Sequence, residues 1–420
     1  MKSVFWFRDD LRIQDNRSLH RCSKESESIL GIYVIDPSIW AGTQFGIPRM
    51  GSFRRRFLLE CLADLDHQIR TMGGRLIILH GSPEKEIPNI VRSHGFEKVF
   101  ASAWYTWEEK YMEQEIKRHV HLEIQWNGTL TDPHSLPFEI HDLPDVFTSF
   151  RKKVEKYGSF WDPVSMDEPI PWIDLPEVGL SVDEIEFEAI SPDHRAVMDF
   201  VGGEGHGWKR LNHYIHISGS VAHYKETRNA MLGADNSSKF SPWLASGCIS
   251  PRQVANEVQR FEEAEGATES TYWMIFELLW RDFFKFAFLK YGPKLFQLKG
   301  IRNRMPTLAR DERFDLWCEG KTGDDLVDAN MIELQRTGFM SNRGRQNVAS
   351  YLVHDLEQDW RLGASWMEYL LIDHDPASNW GNWAYIAGVG HDLRNRKFNT
   401  QIQADRYDPD MAYRTTWLSL

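Results

Sequence analysis

Cysteine is scarce in this chain of 420 residues, and its four cysteines are scattered. Cys22, Cys61, Cys248 and Cys318 form no C-x-x-C pair, so no zinc or dithiol redox motif is visible. Such sparse cysteine is typical of a reducing cytosol. Long apolar runs are missing too: none approaches the roughly 18 residues of a membrane-spanning helix, and the amino-terminal run is too short for a signal peptide. We expect a soluble, cytoplasmic protein without a membrane partner.

An excess of basic residues is also absent. The formal net charge is −12 and the pI is near 5.8, which argues against a uniformly basic coat for nucleic acid. A local basic groove remains compatible with this charge, because charges act over only about 10 Å at moderate salt.

Tryptophan, by contrast, is abundant, with 17 residues. Most of them are interpreted as bulky core residues, the usual place of large aromatic side chains. So many indole rings also raise the question of whether some of them serve in aromatic stacking or electron transfer.

The length favours two domains, since one compact core seldom serves so long a chain. In residues 1–130, short apolar runs alternate with helical patterns, which indicates an α/β domain with a buried, Rossmann-like parallel sheet. This part has no G-x-G-x-x-G dinucleotide fingerprint. The predicted strands are Ser3–Phe7, Ile29–Ile35, Arg75–His80, Lys98–Ser102 and Leu122–Trp126, and the clearest helices are Met50–Met72 and Trp107–His119.

Composition changes after residue 130. Eight of the 18 prolines fall between Pro133 and Pro192, so residues 131–200 are interpreted as a long interdomain linker over the surface. Residues 201–420 show helical spacing with little strand-like alternation and are predicted to form an all-α domain. The helical patterns are clearest in Glu257–Ala264, Tyr272–Tyr291, Asp324–Thr337, Arg345–Leu356 and Ala364–Ile372.

One predicted helix carries charged residues on an aromatic-rich surface. Glu277, Trp280, Arg281 and Phe284 are spaced by three and four residues and therefore share a face. A helix that is apolar all round is buried, so its charges must be paired or contact a polar ligand. From this helix alone, an internal ion pair between Glu277 and Arg281 is slightly favoured over a binding function.

Two further segments are polar where helices are expected to begin. Asn236–Ser246 places three serines and Lys239 before Pro242, a combination of hydroxyls, backbone N–H groups and helix dipole that favours an anion. Met340–Ser350 packs two arginines, an asparagine and a glutamine into five positions, and arginine reads phosphate through its forked donors. Ordinary capped helix starts would give the same patterns.

The last segment is Leu371–Trp383. Asp375 before Pro376 is a good N-cap, and Asn379 and Trp383 would follow at i+4 steps on one face. Gly381 weakens the prediction of a helix here. Asp373 and Asp375 are possible metal ligands, but no cysteine or histidine cluster joins them, and no metal is predicted.

Taken in this order, the segments resemble the photolyase/cryptochrome family over nearly the whole chain. The opening Val4–Arg12 is similar to the family's amino-terminal signature, and Gly202-Gly203-Glu204 followed by Leu211 is similar to the entry to its flavin domain. The DASH branch is indicated by three long stretches: Ser270–Phe284, Gly338–Gln346 and Gly381–Gly388.

The resemblance implies FAD held in a U shape by the helical domain. Asn379 would lie at the redox-active nitrogen of the flavin, and Arg345 would pair with Asp373. The full set of implied FAD-binding residues is Tyr224, Ser237, Ser238, Lys239, Phe240, Ser241, Arg281, Asn342, Arg345, Asp373, Asp375 and Asn379.

The resemblance further implies repair of cyclobutane pyrimidine dimers by electron transfer from photoexcited, reduced FAD, the reaction of a deoxyribodipyrimidine photo-lyase. Glu277 would bond the bases of the dimer and Trp280 would stack on them, at roughly 1–3 kcal/mol per base. Tyr385 stands where other photolyases have a second tryptophan. The smaller ring offsets less of the few kcal/mol that flipping costs, which favours single-stranded DNA. The implied DNA-binding residues are Arg228, Glu277, Trp280, Arg343, Gln346 and Tyr385.

An antenna, usually methenyltetrahydrofolate in this branch, would bind between the domains at Glu108 or Glu109. The family also re-reduces its flavin through three tryptophans, of which Trp383 and Trp360 match the first two. The third position carries Thr307, ten residues before Trp317. We therefore expect photoreduction of oxidised FAD to be slow or rerouted, for example through Trp317.

Two other functions stay open at this point. The chain would be a blue-light receptor that signals through partners, or a nucleic-acid-binding regulator that uses the same groove without chemistry. Glu277, Trp280 and Asn379 favour the repair enzyme, and we expect a monomer.

Overall fold

The computed structural model describes residues 1–160, 162–185, 190–191, 193–391 and 396–419. Five parallel strands form one sheet in the order β3-β2-β1-β4-β5, as predicted for the α/β domain. The strands are β1 Lys2–Phe7, β2 Ser28–Ile35, β3 Leu76–His80, β4 Lys98–Ser102 and β5 Leu122–Gln125.

Both faces of this sheet are covered. Phe5 and Phe7 of β1 point into one apolar core, whereas Val4 and Trp6 point into a second core on the opposite face. Strands buried on both sides read as continuous apolar runs rather than as alternating patterns, which is why the runs were visible in the sequence.

Helices make up nearly all of the remaining regular structure. Helices α1–α4 flank the sheet, and α6–α17 build the predicted helical domain. The helices are α1 Arg17–Glu25, α2 Ser52–Thr71, α3 Pro83–His94, α4 Trp107–Lys117, α5 Phe147–Tyr157, α6 Glu204–Asn212, α7 Tyr224–Thr227, α8 Ser241–Ala245, α9 Pro251–Glu265, α10 Glu269–Tyr291, α11 Glu312–Glu319, α12 Asp325–Thr337, α13 Asn342–His354, α14 Trp360–Leu370, α15 Pro376–Ile386, α16 Thr400–Tyr407 and α17 Ala412–Leu418. Within the described ranges, no helix is both long and apolar enough to cross a membrane.

Helix α5 is a helix in the segment that the sequence predicts to be a linker over the surface. It lies in the proline-rich segment 131–200, whose other described residues are irregular apart from short helical turns and isolated β-bridges. Phe147, Phe150 and Val154 are buried on one side of α5 and pack with the aromatic residues of α10. The interdomain segment therefore contributes to the core of the molecule.

A buried polar seam joins the two halves. Arg252 of α9 donates to the backbone carbonyls of Asn127 and Thr129, both at 2.8 Å, and pairs with Asp15 at 2.9 Å. Glu204 at the start of α6 accepts from the backbone N–H of Ile13 at 2.8 Å. A buried charge is costly unless it is paired and hydrogen-bonded. Separating the two halves would break these contacts, so they fix the relative position of the halves.

Candidate active site

A cavity of about 320 Å³ lies inside the helical domain, between α13, the α14–α15 turn and α15. It brings together many side chains that the sequence analysis assigned to a cofactor or to DNA. Those that line it are Asn342, Arg343, Arg345, Gln346, Asp373, Asp375, Asn379, Trp383 and Tyr385. We call this cavity the inner pocket.

Asp373 is the anionic centre of the inner pocket. One of its oxygens, Oδ2, accepts from Arg345 Nη2 at 2.7 Å and from Ser241 Oγ at 2.6 Å. The other oxygen, Oδ1, is buried and has no hydrogen-bond partner among the described residues. A buried acceptor without a partner costs about 1–3 kcal/mol, so the pocket has a polar atom that a ligand donor would satisfy.

Helix α15 begins as the sequence predicted. Asp375 is its N-cap and accepts from the backbone N–H of Ser378 at 2.7 Å. Burial raises the pKa of Asp375, but the charges of Lys285 and Arg281 outweigh this effect and hold it below its usual value. Lys285 Nζ lies 3.5 Å from the Asp375 carboxylate.

The helix continues through Gly381, against the expectation that this glycine weakens it. A Cβ at Gly381 would lie 2.4 Å from Cδ1 of Phe284 on α10, so the close approach of the two helices requires glycine. Asn379 lies one turn before Trp383, and its Nδ2 donates to the carbonyl of Ala364 at 2.9 Å. The side chain is thereby fixed at the wall of the inner pocket.

The predicted anion segment precedes α8. Lys239 is buried, has a φ of +57°, and donates from Nζ to Ser237 Oγ at 2.8 Å. Burial lowers its pKa to about 8. Ser237, Ser238, Lys239 and Phe240 are not part of the wall of the inner pocket; Ser241 connects their loop to it through Asp373.

Trp280 and Tyr385 meet as a corner above the inner pocket. Their ring centroids are 6.1 Å apart and the rings are perpendicular, at 89°. On its other side Trp280 stacks on Phe147 of α5, with centroids 3.7 Å apart and an angle of 12° between the planes. The aromatic corner, Trp280 with Tyr385, therefore has a rigid support from the interdomain segment.

Glu277 pairs with Arg228 and not with Arg281, so the interpretation of an internal i,i+4 ion pair is wrong. Burial raises the pKa of Glu277, and burial likewise raises that of Tyr224 on α7. Arg228 also lies over the ring of Trp273, 5.6 Å from its centroid.

Arg281, assigned to the cofactor, does not line the inner pocket. Its guanidinium donates to the backbone carbonyls of Gly128 and Leu244, the first in the α/β half and the second in α8. In this structure Arg281 ties the two halves together, because carbonyl acceptors satisfy its donors there.

A second and larger cavity, of about 620 Å³, lies between the two halves. Glu108 and Glu109, the predicted antenna residues, both line this interdomain cavity. Glu108 forms an ion pair with Arg49 at 2.7 Å. Burial raises the pKa of Glu109 to about 7, and its carboxylate completes a capping box with Thr106 at the start of α4.

Five polar atoms of residues that line the interdomain cavity are buried without a hydrogen-bond partner among the described residues: Arg8 Nε and Nη2, Arg54 Nε, Ser365 Oγ and His374 Nδ1. The His374 side chain is 6% exposed. His374 also lines the inner pocket, so one side chain separates the two cavities.

The tryptophans of the predicted relay are buried. Trp383 and Trp317 contact each other edge to face, with centroids 6.2 Å apart, and Trp360 contacts Trp380 in the same way at 5.8 Å. Thr307 is exposed, whereas Trp317 is fully buried. Trp317 is therefore a neighbour of the first relay position and not a replacement for a ring at the surface.

Comparison with known proteins gives the family. Residues 273–420 match the family model for the FAD binding domain of DNA photolyase, and residues 3–171 match the model for DNA photolyase. A cryptochrome DASH of Natronomonas pharaonis is 44% identical over 99% of this chain and 90% of its own length. The chain belongs to the DASH cryptochromes of the photolyase/cryptochrome family.

Two solved structures agree with this membership. The crystal structure of a Synechocystis sp. cryptochrome superposes with a TM-score of 0.95 at 43% identity, covering 100% of this chain and 89% of the other. An archaeal photolyase from Sulfolobus tokodaii, solved with two FAD molecules, has a TM-score of 0.82 at 26% identity and covers 100% of this chain and 90% of its own. The α/β domain with a helical FAD-binding domain is thus confirmed.

The inner pocket suits the FAD of a DASH cryptochrome. Asp373 Oδ1 offers an unused acceptor and Arg345 a cation beside it, while the Ser237–Lys239 loop adds hydroxyls and a buried ammonium group. This donor set matches a ligand that carries phosphates and a polar ring edge.

Several residues of these sites had no signal in the sequence. Phe147 stacks on Trp280, Arg396 donates to the Tyr385 hydroxyl at 2.5 Å, and His374 separates the cavities. Phe147 and Arg396 come from segments without a clear periodic pattern. In the tripeptide Asp-His-Asp at 373–375, only the two carboxylates were predicted as site residues.

Proposed function

We propose that this protein is a light-driven DNA photolyase that splits cyclobutane pyrimidine dimers and prefers single-stranded DNA. The observation that carries the proposal is the aromatic corner at the inner pocket. Tyr385 forms one wall of the corner and also lines the pocket that holds Asp373 and Asn379. A base bound at the corner is therefore next to the cofactor pocket. When bound and reduced, FAD supplies an electron on illumination.

The residues of the chain bind and orient the lesion. Trp280 offers a stacking surface held in place by Phe147, which lowers the entropy lost on binding. Glu277 is a half-buried carboxylate beside the corner, and its pairing with Arg228 fixes its direction. Arg343 and Gln346 add polar groups to the pocket wall for the strand that enters.

Tyr385 supports the preference for single strands. Its hydroxyl is bonded to Arg396, so the ring is held upright beside Trp280 and offers less stacking area than an indole. A dimer in a duplex must first be flipped out, which costs a few kcal/mol. A strand without a partner avoids that cost.

We propose further that the interdomain cavity holds an antenna chromophore, methenyltetrahydrofolate by resemblance. Aromatic walls from Trp6, Trp104 and Trp380 suit a planar ring. The unused polar atoms of Arg54, Ser365 and His374 suit its heteroatoms. The Sulfolobus tokodaii photolyase was described with a second FAD as a light-harvesting cofactor, so a flavin is the competing ligand, and the absorption spectrum of the released chromophore distinguishes the two.

The function is tested with an oligonucleotide that carries one thymine dimer, under blue light and in darkness. The variants are Glu277→Gln and, as matched control on the same helix, Glu269→Gln, whose side chain is 63% exposed. Hydrogen bonds to charged groups contribute about 1.5–3 kcal/mol, so Glu277→Gln should weaken dimer binding about tenfold or more. The control should repair like the wild type.

Dimer loss only in the light, and impaired only by Glu277→Gln, supports the photolyase. Bound FAD without dimer loss on single strands and duplexes would overturn it. That result would instead favour the blue-light receptor, which uses the same flavin domain without repair.

A further inference from the structure

Helix α5 carries a basic outer face. Its buried side consists of Phe147, Phe150 and Val154. The opposite side carries Lys152, Lys153 and Lys156, which are exposed. Residues 152, 153 and 156 are separated by one, three and four positions, so their ammonium groups share one face of the helix.

These lysines are not neutralised within the described part of the chain, where none of them forms an ion pair. Glu155, the one carboxylate on the helix, accepts from the Tyr272 hydroxyl at 2.6 Å and lies 3.8 Å from Arg151. Because the net charge of the protein is −12, a free cluster of three cations is a local exception that concentrates anions.

Exposed aromatic rings accompany the lysines. Tyr157 is 64% exposed, with Lys156 Nζ 4.7 Å from its ring centroid, and Phe160 is 42% exposed. A cationic track with rings on which bases stack is typical of surfaces that bind single-stranded nucleic acid.

The basic face is continuous with the aromatic corner. Phe147 at the start of α5 stacks on Trp280, and Arg151, one turn further, lies over Phe276 at 5.4 Å and bonds Tyr272. With a rise of 1.5 Å per residue, Lys152 and Lys156 lie about 8 and about 14 Å along the axis from Phe147. Phosphates of one strand are about 3.4 Å apart in duplex geometry, so this span corresponds to roughly two to four nucleotides.

We propose that α5 binds the sugar–phosphate backbone of the single strand that extends from a lesion at the aromatic corner. The proposal rests on the proposed function for the position of the lesion. It adds that the interdomain segment is a part of the nucleic-acid interface and sets the length of strand that the protein binds. Tyr157 contributes a stacking surface at the far end of this track.

The test measures binding in darkness, by fluorescence anisotropy, so that it does not depend on repair. Two single-stranded ligands carry the same dimer: one is the dimer alone, about two nucleotides and confined to the corner, and the other has about 16 nucleotides, long enough for α5. The variant is Lys152→Ala/Lys153→Ala/Lys156→Ala. A triple variant with the same change of charge, Lys2→Ala/Lys85→Ala/Lys117→Ala, removes exposed lysines of the α/β domain and is the matched control. Circular dichroism and bound flavin check that both variants fold.

Each lost phosphate contact on a single strand lowers the slope of log K against log salt by about 0.7, so three contacts lower it by about 2 and weaken the long ligand roughly 10- to 100-fold near 0.1 M salt. The short ligand should change less than about twofold, since it does not reach α5. The control variant should retain the wild-type slope.

Equal slopes for the α5 variant and the wild type on the long ligand would overturn the inference, as would an equal loss in the control variant. Failure of the proposed function is seen separately. A wild-type protein that binds the long strand through the lysines but does not repair it in the light contradicts the photolyase and retains the α5 interface.

Discussion

The two cavities differ in how their polar groups are satisfied. In the inner pocket the central carboxylate, Asp373, already has two donors, Arg345 and Ser241. In the interdomain cavity, polar atoms of Arg54, Ser365 and His374 are buried without a partner among the described residues. Both sites present buried polar atoms without a partner to a ligand, among them Asp373 Oδ1 in the inner pocket. The difference is that the chain itself fixes the central carboxylate of the inner pocket with two donors.

This difference separates two tasks. A site that orients a reacting group must hold its own side chains in place before the ligand arrives. A site that only collects light needs a planar cleft and a few polar anchors. Variants in the two cavities should therefore lose different chromophores.

The largest effect is expected for Asp373→Asn. The change keeps the shape but removes the buried charge of Asp373, which pairs with half-buried Arg345, and a hydrogen bond to a charged group contributes about 1.5–3 kcal/mol. Purified protein should lose nearly all of its FAD, as measured by flavin absorbance per protein.

The control is Asp359→Asn, which removes a buried carboxylate paired with Arg361 at the start of α14, outside both cavities. Its flavin content should stay near that of the wild type. If Asp373→Asn retains full flavin, Asp373 does not anchor the cofactor.

Arg54→Met should have the opposite effect on the two chromophores: it should release the second chromophore and leave FAD bound. Burial lowers the pKa of Arg54 to about 10, and its guanidinium lines only the interdomain cavity of the two. Hydrogen bonds to charged groups contribute about 1.5–3 kcal/mol. The affinity for the second chromophore should therefore fall about tenfold or more, while FAD stays bound. Absorbance of the chromophores released from the purified protein measures both.

Arg55→Met, at the next position of α2, is the matched control because Arg55 lies over Trp40 and not in the cavity wall. Loss of FAD together with the second chromophore would contradict the separation of tasks.

The fold was predictable because both domains have a clear sequence pattern: short apolar runs between helical patterns in the first, and apolar residues at helical spacing in the second. Strands buried on both faces appear as continuous apolar runs, and α10 and α12–α14 begin and end within a few residues of their predicted bounds, whereas α9 begins several residues before its predicted start. Segments 371–383 and 340–350 likewise converge on one pocket, since motif residues adjacent in the chain stay adjacent on a helix.

Features that depend on tertiary contacts could not be predicted in this way. Glu277 has a guanidinium four residues away in its own helix, yet pairs with Arg228 from α7. In the sequence Phe147 is one residue of a proline-rich connector, and only the structure shows that its ring stacks on Trp280. The interdomain cavity is built from both halves, so only Glu108 and Glu109 were found, through a resemblance.

A moderate, kinetic effect is expected for Trp317→Phe. Trp317 touches Trp383 edge to face, and the position at which the resemblance implies a third relay ring carries Thr307. If electrons reach oxidised flavin through Trp317, its replacement should slow photoreduction severalfold in transient absorption and spare the proposed repair by flavin that is already reduced.

Trp417→Phe, a buried indole of α17, is the control. Photoreduction with unchanged kinetics in Trp317→Phe would exclude the reroute.

The smallest effect, on thermal stability, is expected in the buried polar seam that joins the two halves. Burial raises the pKa of Glu204 from 4.5 to about 7, so the folded protein holds this proton more tightly than the unfolded chain. Stability from Glu204 is therefore full below about pH 4.5 and is lost as the pH rises to about 7. The difference in melting temperature, wild type minus Glu204→Gln, should fall by a few degrees over this window. A constant difference would contradict the assigned pKa.

The most direct test of the central claim is single-turnover repair by chemically reduced protein. The same thymine dimer is presented in a single strand and in a duplex, and each is illuminated or kept dark. We predict dimer loss only in the light and faster on the single strand, since the duplex adds the cost of flipping. Retained, reduced FAD with no dimer loss on either substrate would contradict the account.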